Sequence, residues 1–593
     1  MAVVLLTTLA WIYSFAAGIH AFLAPILLSF IPSRQILRLI FLTYSFQIVL
    51  LPAIIYVWYT GHAARDRKRR GSTVGLDISQ SEDDETTALL SDAASSPTGA
   101  ANLRNRRSSG SESRSPAASS PGGPRLVRPP LSLSRFLLRR KLRTSMLVLT
   151  LLANTVLFVL CMDFVFWPYL FKKNYDLEMT RVGGVGPNSA KIFLRSPANP
   201  IVSLEIRRTG SNHPDAWTVC EAGIEVIAGN DFTAVGTCGA LEPDTGFRYR
   251  WTTPSGDVLL EEEGLEHLKF RTAPAALKPS TYSFAFTSCV KPGFPYRTKG
   301  VRGFREMGKE DLSFVMFLGD LIYADAPYLY GTDVDSYRWH YRYLYAHADF
   351  RNTFRKLPFL TIYDDHEILN DWESDHKAPY PAAFKAFNEY AGLTNPHGDA
   401  NTTAIFEYEF GDTAFFVMDT RGYRSWERAT MLGDAQMARL KAWLLQVKDT
   451  HTVKFLVTSV PFTQNWQWER RDTWAGYLKE RQEILDFIST NNIRNVLAIS
   501  GDRHEVAITK LPGNVIEFST SPLQAFYSPI ETYYETAEDQ KIFSWRPGNI
   551  KWAKFTIDTA RKGNPTATYA LFVNDFQDTP VYEKTFELAR LGQ

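Results

Sequence analysis

The sequence predicts a membrane protein whose C-terminal half is an α/β domain preceded by a small β-sandwich. Three long apolar segments lie before residue 172, short segments with apolar residues at every second position follow, and apolar strands then alternate with amphipathic helices. The chain has 593 residues, too many for one ordinary domain. Its net charge of +2 creates no field that would favour nucleic acid, so we expect no nucleic-acid partner.

Residues 1–60 are predicted to form two transmembrane helices, and residues 144–172 a third. The apolar segments are Val3–Phe30, Ile36–Tyr59 and Met146–Phe171, each longer than the ~20 residues that a helix needs to cross a bilayer. A cleaved signal peptide is the alternative for the first segment. That segment has no Lys or Arg before its apolar core, and the core is too long, which favours a membrane helix.

Residues 61–143 differ in composition from the segments on either side. Basic clusters open and close this segment, at Arg65–Arg70 and Arg135–Arg143, and its middle is rich in Ser, Pro and Gly. We therefore predict a disordered loop. Because basic residues beside membrane helices favour the cytoplasmic side, the loop is expected in the cytoplasm and the chain after Lys172 in a lumen or outside the cell. Arg34 and Arg38 weigh against this orientation.

Three short features bear on the cellular compartment. Asn401 begins a glycosylation sequon, and Cys220 and Cys238 could pair in an oxidising compartment. The segment Glu85–Leu90 (ETTALL) looks like an acidic dileucine signal for a cytoplasmic sorting adaptor, with a chance match as the alternative. We expect an integral membrane glycoprotein of the secretory or endomembrane system: vacuole, endosome, endoplasmic reticulum or plasma membrane.

Two folded domains are predicted after the third membrane helix. Residues 173–277 contain short strands of period two, such as VSLEIRR, and favour a β-sandwich that serves as a spacer or binds a partner. Residues 278–593 alternate apolar strands with helices, as in an α/β domain. Ligands of such sheets bind beyond the carboxyl ends of the strands, and five predicted strands end in polar residues: Cys289, Asp320, Asp364–Asp365, Asp419 and Asp502–His504.

The segment TIYDDHEILNDW, Thr361–Trp372, is the most acidic of these strand ends. One solvated acidic turn would explain it if it stood alone. Five strands that each deliver polar residues to the same edge instead indicate convergent metal ligands.

One group of these residues suits a trivalent metal. Cys289, Asp320, Tyr323 and His504 offer a thiolate, a carboxylate, a phenolate and an imidazole. The three negative charges favour Fe³⁺ over zinc, which rarely binds tyrosine.

The remaining donors are oxygen atoms. Asp365, Asn370 and Asp502 suit a divalent ion such as Ca²⁺, Mg²⁺ or Mn²⁺, and Asp320 could bridge the two ions. Two adjacent metals can polarise a phosphoryl group and activate water.

Five motifs occur in order and in strand contexts: SC at Cys289, GDLIYAD at Gly319–Asp325, YDDHEILND at Tyr363–Asp371, MDTRGYRS at Met418–Ser425 and ISGDRHE at Ile499–Glu505. With them, the chain from about residue 180 resembles the PhoD-type (alkaline phosphatase D-like) metallophosphoesterases, distant relatives of purple acid phosphatases. The resemblance implies a four-layer αββα core, an N-terminal β-sandwich and an iron plus calcium-type centre.

The resemblance also implies roles for individual residues. Iron ligands would be Cys289, Asp320, Tyr323 and His504, and ligands of the second metal would be Asn370 and Asp502. Asp365 occupies a position where related phosphoesterases have a metal-binding Asn.

Two further residues could act on a substrate. Arg421 could hold a phosphate with its guanidinium or form an ion pair instead. His366 could protonate the leaving alkoxide or orient a neighbouring carboxylate. The sequence thus predicts a membrane-anchored phosphatase or phosphodiesterase that acts on phosphate monoesters or diesters on the lumenal or extracellular side, with catalytic residues Asp320, His366 and Arg421. The alternative is a membrane receptor or scaffold with a silent phosphoesterase-like domain.

Overall fold

The computed structural model describes residues 2–29, 33–73, 133–210, 217–260, 264–296, 298–373, 377–396 and 404–590. The predicted sorting signal at Glu85–Leu90 and the sequon at Asn401 lie outside these residues, so both stay predictions.

Three helices in the N-terminal region are long and apolar enough to cross a membrane, which indicates membrane association. The candidate spans are Thr8–Ser29, Arg34–Val57 and Ser145–Phe171. They belong to helices α1 (Ala2–Ser29), α2 (Arg34–Thr73) and α3 (Leu133–Phe171).

Both ends of the segment predicted as a disordered loop are helical. Helix α2 continues to residue 73 and α3 begins at residue 133, so residues 61–73 and 133–143 correct that prediction. A formed helix extends at little cost because nucleation is already complete, and Arg and Lys are good helix formers. Only the interior of the predicted loop stays a prediction.

The chain divides into two units by its contacts: residues 1–16 with 46–152, and residues 17–45 with 153–593. In the first unit, the Tyr13 hydroxyl donates to the Leu147 carbonyl at 2.8 Å. In the second unit, apolar residues of α1, α2 and α3 share a cluster that includes Ala24, Ile40 and Val165. All the folded sheets belong to this second unit.

Two small antiparallel sheets follow α3 and share one apolar cluster, which includes Ile192, Leu204 and Trp251. Cys220 and Cys238 form a disulfide between the two sheets, as predicted. One sheet has the order β1 (Met179–Val185), β2 (Ala190–Arg195), β5 (Thr233–Cys238); the other has the order β4 (Thr218–Glu225), β3 (Ile201–Arg208), β6 (Gly246–Thr252), β7 (Lys269–Arg271).

Two larger mixed sheets form the rest of the second unit, which confirms the predicted α/β class. The six-stranded sheet has the order β10 (Phe359–Ile362), β9 (Phe314–Leu318), β8 (Thr281–Thr287), β18 (Lys551–Asp558), β19 (Thr566–Val573), β20 (Tyr582–Glu587). The seven-stranded sheet has the order β11 (Phe406–Phe410), β12 (Thr413–Val417), β13 (Val453–Val457), β14 (Val496–Ser500), β16 (Ile516–Thr520), β15 (Val506–Lys510), β17 (Gln540–Trp545).

Apolar residues of both large sheets join in one cluster dominated by phenylalanine. Phe284 stacks on Phe314 at 4.9 Å between ring centroids, and Phe415 stacks on Phe455 at the same distance. A second cluster joins the six-stranded sheet to α4 (Arg302–Met307), α5 (Val334–Tyr345), α6 (Ala348–Phe354) and α7 (Tyr380–Tyr390). A third joins the seven-stranded sheet to α8 (Gly433–Val447) and α9 (Leu478–Thr490).

The parallel strands of the two large sheets position the candidate site. Strands β8, β9 and β10 run parallel to one another, as do β12, β13, β14 and β16. Because parallel strands have their carboxyl ends on one edge, the loops after β8, β9 and β10 gather at one edge of the six-stranded sheet. The loop after β14 of the seven-stranded sheet meets them there. These four loops carry most of the predicted ligands.

Candidate metal centre

Four of the predicted ligands have a left-handed backbone. The φ angles are +62° at Cys289, +55° at Asp320, +70° at Asp502 and +57° at His504. This conformation is uncommon for residues other than glycine and costs about 1–3 kcal/mol each. It turns each loop sharply after its strand and persists because the surrounding contacts hold it in place.

Two glycines allow these loops to approach each other closely. At Gly319, where φ is +94°, an added Cβ would lie 2.5 Å from the Asp364 Cβ. At Gly501 it would lie 2.3 Å from the Ser288 hydroxyl oxygen. The glycines of the GD motifs are therefore required for the packing of one ligand loop against the next.

The structure brings the four predicted iron ligands together. Donor atoms of Cys289, Asp320 and His504 all lie within 4.8 Å of one another. The Tyr323 hydroxyl is 2.8 Å from His504 Nε2, and the Cys289 thiol is 3.3 Å from Asp320 Oδ2. A single ion in this cluster could contact all four side chains.

A second group of carboxylates adjoins the first. Oxygen atoms of Asp320, Asp364, Asp365 and Asp502 lie within 4.8 Å of one another. Asp320 belongs to both groups, as its predicted bridging role requires. The sequence analysis included Asp365 as a ligand and left out Asp364, although adjacent aspartates after a buried strand were the available signal.

The site contains buried polar atoms that no protein group satisfies. Among the described residues, atoms without a hydrogen-bond partner include Oδ1 of Asp320, Oδ2 of Asp364, Oδ1 of Asp365 and Oδ2 of Asp502. An unpaired buried polar atom costs about 1–3 kcal/mol, so their clustering requires an explanation. Cations coordinated by these atoms supply one, and the donor set therefore fits a two-metal centre.

The directions of the pKa shifts in the cluster agree with a site for cations. Burial, and then the charges of Asp320 and Asp502, raise the pKa of the Cys289 thiol. Burial and the neighbouring carboxylates Asp364 and Asp365 raise the pKa of Asp320, although His366 opposes them. Burial lowers the pKa of His504, which keeps its imidazole in the neutral form that binds metals. Cation binding would displace protons from the acids and offset their mutual repulsion.

Glu367 holds two ligand loops together, a role that the sequence analysis missed. Its carboxylate accepts hydrogen bonds from the backbone N–H groups of Asp320 at 3.0 Å, Leu321 at 2.5 Å and Asp364 at 2.8 Å. The loop after β9 is thereby fixed to the loop after β10. The only sequence signal was a further acid in an already acidic turn.

Arg421 is fully buried and bonds to carboxylates. It donates to Asp364 and, from Nη2, to Asp472 Oδ2 at 3.1 Å. Arg424 also donates to Asp472, at 2.6 Å. Although burial opposes ionisation, the two arginines lower the pKa of Asp472 to about 2. The contacts match the ion-pair alternative for Arg421, and the network orients Asp364.

His366 lies at the partly open side of the cluster. Its Nδ1 is 2.7 Å from Asp325 Oδ1, and its ring centroid is 4.3 Å from that of Tyr323. Burial opposes protonation, but the charges of Asp325, Asp320 and Asp365 raise the pKa of His366. The imidazole is therefore placed to carry a proton beside the metal ligands.

Asn370 stays a predicted ligand of the second metal. The residue is exposed, and its backbone N–H donates to Asp325 Oδ2 at 2.7 Å. Asp325, which the sequence analysis did not single out, thus fixes both His366 and this turn.

Residues 284–562 match the family model of the PhoD-like phosphatases. This segment is a PhoD-like phosphatase domain. The chain is also 26% identical to alkaline phosphatase D of Bacillus subtilis (strain 168), over 44% of this chain and 52% of the relative, so it spans about half the length of that curated protein. The predicted relationship is confirmed.

Solved structures of two phosphatases are similar to the chain. A structure of PhoD is 17% identical with a TM-score of 0.48, covering 70% of this chain and 92% of that one. Purple acid phosphatase PPD1 from yellow lupin (Lupinus luteus) seeds is 12% identical with a TM-score of 0.49, covering 69% and 74%.

Replacement of Asp320 by Asn should have opposite effects on stability with and without metal. Asn adopts the left-handed backbone as readily as Asp, so the loop should persist. In chelator-treated protein the loss of one buried carboxylate should raise the midpoint of thermal unfolding. In metal-loaded protein the midpoint should fall, and the metal content measured by elemental analysis should drop.

The exposed Asp434 at the start of α8 provides the control. Asp434→Asn should leave metal content and both midpoints close to the wild-type values. A full metal complement in Asp320→Asn would show that Asp320 does not bridge the ions.

Proposed function

We propose that this chain is a membrane-anchored, binuclear-metal phosphoesterase that hydrolyses phosphate monoesters or diesters. The observation that carries the proposal is the placement of Asp320 in two adjoining groups of buried donors, one containing a thiol and an imidazole and the other only carboxylates. The PhoD-like phosphatase domain supports the same reaction class.

The donor types favour Fe³⁺ in the first group and Ca²⁺ in the second. Cys289, Tyr323 and Asp320 offer three anionic donors, which suits a trivalent ion. The second group, with Asp364 added to the predicted Asp365, Asn370 and Asp502, offers only oxygen donors, which suits a hard divalent ion. When bound, such ions polarise a phosphoryl group and activate water.

The protein's own residues would hold the donors and move the proton. His366, kept protonated by Asp325, would donate its proton to the departing alcohol oxygen. Glu367 would fix the distance between the loops of Asp320 and Asp364. Arg421 would orient Asp364 through a network that is already satisfied by Asp472, so we assign it a positioning role.

We also infer the arrangement of layers and the orientation in the membrane. The three apolar clusters support a four-layer αββα core with helices on the outer face of each large sheet, and the shared cluster of the small sheets supports a β-sandwich. The disulfide Cys220–Cys238 favours an oxidising compartment for the catalytic domain.

His366→Gln should lower the turnover number for glycerol 3-phosphate by about a hundredfold, because the alkoxide leaving group would lose its proton donor. Turnover of p-nitrophenyl phosphate should change far less, because p-nitrophenolate departs without a proton. Metal content should stay unchanged, since Cys289, Asp320 and His504 are intact. Chelation should abolish turnover in the wild type. Wild-type protein that binds metal but hydrolyses neither ester would instead support a binding module.

The purified protein should be coloured and contain about one iron per chain, because thiolate and phenolate donate charge to ferric iron. Tyr323→Phe should shift or bleach the visible band, whereas the exposed Tyr534→Phe should not change it. Cys289→Ser should weaken iron binding, because an alcohol is a poorer anionic donor than a thiol. A colourless, active enzyme that contains only zinc would rule out the iron assignment.

Protease added to sealed vesicles with the cytoplasmic face outward should cut the loop between α2 and α3 and spare the catalytic domain. The basic clusters beside the membrane helices are the reason for this orientation. Immunoblots against each segment provide the measurement, with detergent-opened vesicles as the control. Digestion of the catalytic domain in sealed vesicles would show that the orientation is the opposite of the one proposed.

A further inference from the structure

A cavity of about 150 Å³ lies between the end of the third membrane helix and the candidate metal centre. Its walls come from α3, from the loops after β8 and β9, and from α5. Trp167 of α3 lines one side, and the ligand Tyr323 lines the other. The wall is mainly aromatic and aliphatic, with Lys291 among its basic groups.

The end of α3 is fixed to the catalytic domain by hydrogen bonds. The Tyr296 hydroxyl donates to Asp163 at 2.8 Å, and the Trp339 indole donates to the Lys172 carbonyl at 2.9 Å. Tyr330 also donates to the carbonyl of Val165. The cavity wall is therefore part of a tightly bonded junction between the helix and the domain.

An aromatic path runs from the same helix to a metal ligand. Ring centroids are 6.3 Å apart for Phe164 and Phe294, and 6.5 Å apart for Phe294 and Phe526. Phe526 in turn packs on the His504 imidazole at 4.2 Å. Packed aromatic side chains thus connect α3 to the metal centre beside the cavity.

The length and composition of α3 favour a position of the cavity near the membrane interface. Its candidate span has 27 residues, which corresponds to about 40 Å of helix, whereas the hydrocarbon core is about 30 Å thick. The span is therefore roughly seven residues longer than the hydrocarbon core. The aromatic residues Phe166, Trp167 and Tyr169 at this end are typical of the interfacial layer.

We propose that the substrate is a membrane lipid that carries the phosphoester, and that the segment of its acyl chain nearest the phosphoester occupies the cavity between α3 and the catalytic domain, because about 150 Å³ admits a group of roughly the size of benzene. This inference rests on the proposed phosphoesterase function. The lipid would enter from the interface with its phosphate toward Tyr323 and His504. Lys291, whose ammonium donates to the Ala326 carbonyl at 2.6 Å, would contribute positive charge beside the phosphate.

The reaction is a balanced hydrolysis. The oxygen of water forms the new bond to phosphorus, and the bond from phosphorus to one alcohol oxygen breaks. That oxygen takes up the proton from His366, and the water proton replaces it. No oxidant or second substrate is needed.

The test compares lipids with the same phosphoesters lacking acyl chains. Full-length protein in dodecyl maltoside micelles would be assayed on phosphatidic acid against glycerol 3-phosphate, and on phosphatidylglycerol against bis(glycerol) phosphate. We expect kcat/KM for at least one lipid to exceed that of its acyl-free partner by about a hundredfold, which corresponds to about 2.7 kcal/mol. Equal values for both pairs would overturn the proposal.

A cavity variant and a matched control separate binding in the cavity from general interfacial effects. Trp167→Glu should lower kcat/KM for the preferred lipid at least about tenfold and leave the acyl-free ester within about twofold. Leu170→Glu changes an exposed residue of the same helix end outside the cavity and should change neither. Equal losses on lipid and acyl-free ester, or no loss on the lipid, would contradict the assignment.

Turnover of p-nitrophenyl phosphate distinguishes a failure of the lipid inference from a failure of the proposed phosphoesterase function. If p-nitrophenyl phosphate is hydrolysed but kcat/KM for the lipids is no higher than for the acyl-free esters, only the lipid inference is overturned. If no ester is hydrolysed, the proposed function is overturned. A photoreactive phosphatidic acid with a diazirine in its acyl chain close to the glycerol tests the cavity directly. Cross-links on His366→Gln protein, which turns over slowly and keeps its metal ligands, should map to residues 290–296 or 339–344. Labelling confined to membrane-span residues outside the cavity wall would refute the proposal.

Discussion

The arrangement of the catalytic domain depends on one electrostatic constraint: four aspartates converge in a buried space. At the 4.8 Å separation that bounds the cluster, two unit charges repel by about 3.5 kcal/mol at an effective dielectric constant of 20. The left-handed backbone at Asp320 and Asp502 adds strain of its own. The free energy gained from a bound cation must therefore exceed the cost of this repulsion and strain. Metal binding and the geometry of the ligand loops consequently depend on each other.

The surrounding residues lessen this repulsion without neutralising it. Arg421 donates to Asp364, so its positive charge lies next to the aspartate cluster. Arg421 and Arg424 both donate to Asp472, whose negative charge is therefore balanced outside the cluster. Glu367 adds negative charge, but it accepts three backbone N–H groups that no ion could replace. The net excess of acid remains at the centre, where it attracts and holds cations.

Sequence patterns predicted the components that depend on local structure. Apolar strands of characteristic length ended at Cys289, Asp320 and Asp502. Parallel pairing brings the ends of β8 and β9 to one edge, whereas the end of β14 joins them through the packing of two separate sheets, which the sequence pattern does not predict. Asp325 and Asp472 were missed because their partners, His366 and Arg421, are 41 and 51 residues away in the chain. Composition was also misleading at both ends of the segment predicted as a loop, where residues 61–73 and 133–143 continue α2 and α3 as helix.

The membrane helix and the metal centre have to be considered as one structure. An anchor alone could join the domain through a flexible linker, and no contact with the site would be needed. Here Tyr296, Tyr330 and Trp339 hydrogen bond to the final turns of α3 and hold that helix against the loops that carry Cys289 and Tyr323. If α3 spans a bilayer, such a junction fixes the height of the metal centre above it. A fixed height suits a substrate that is itself confined to the interface, as the proposed lipid is.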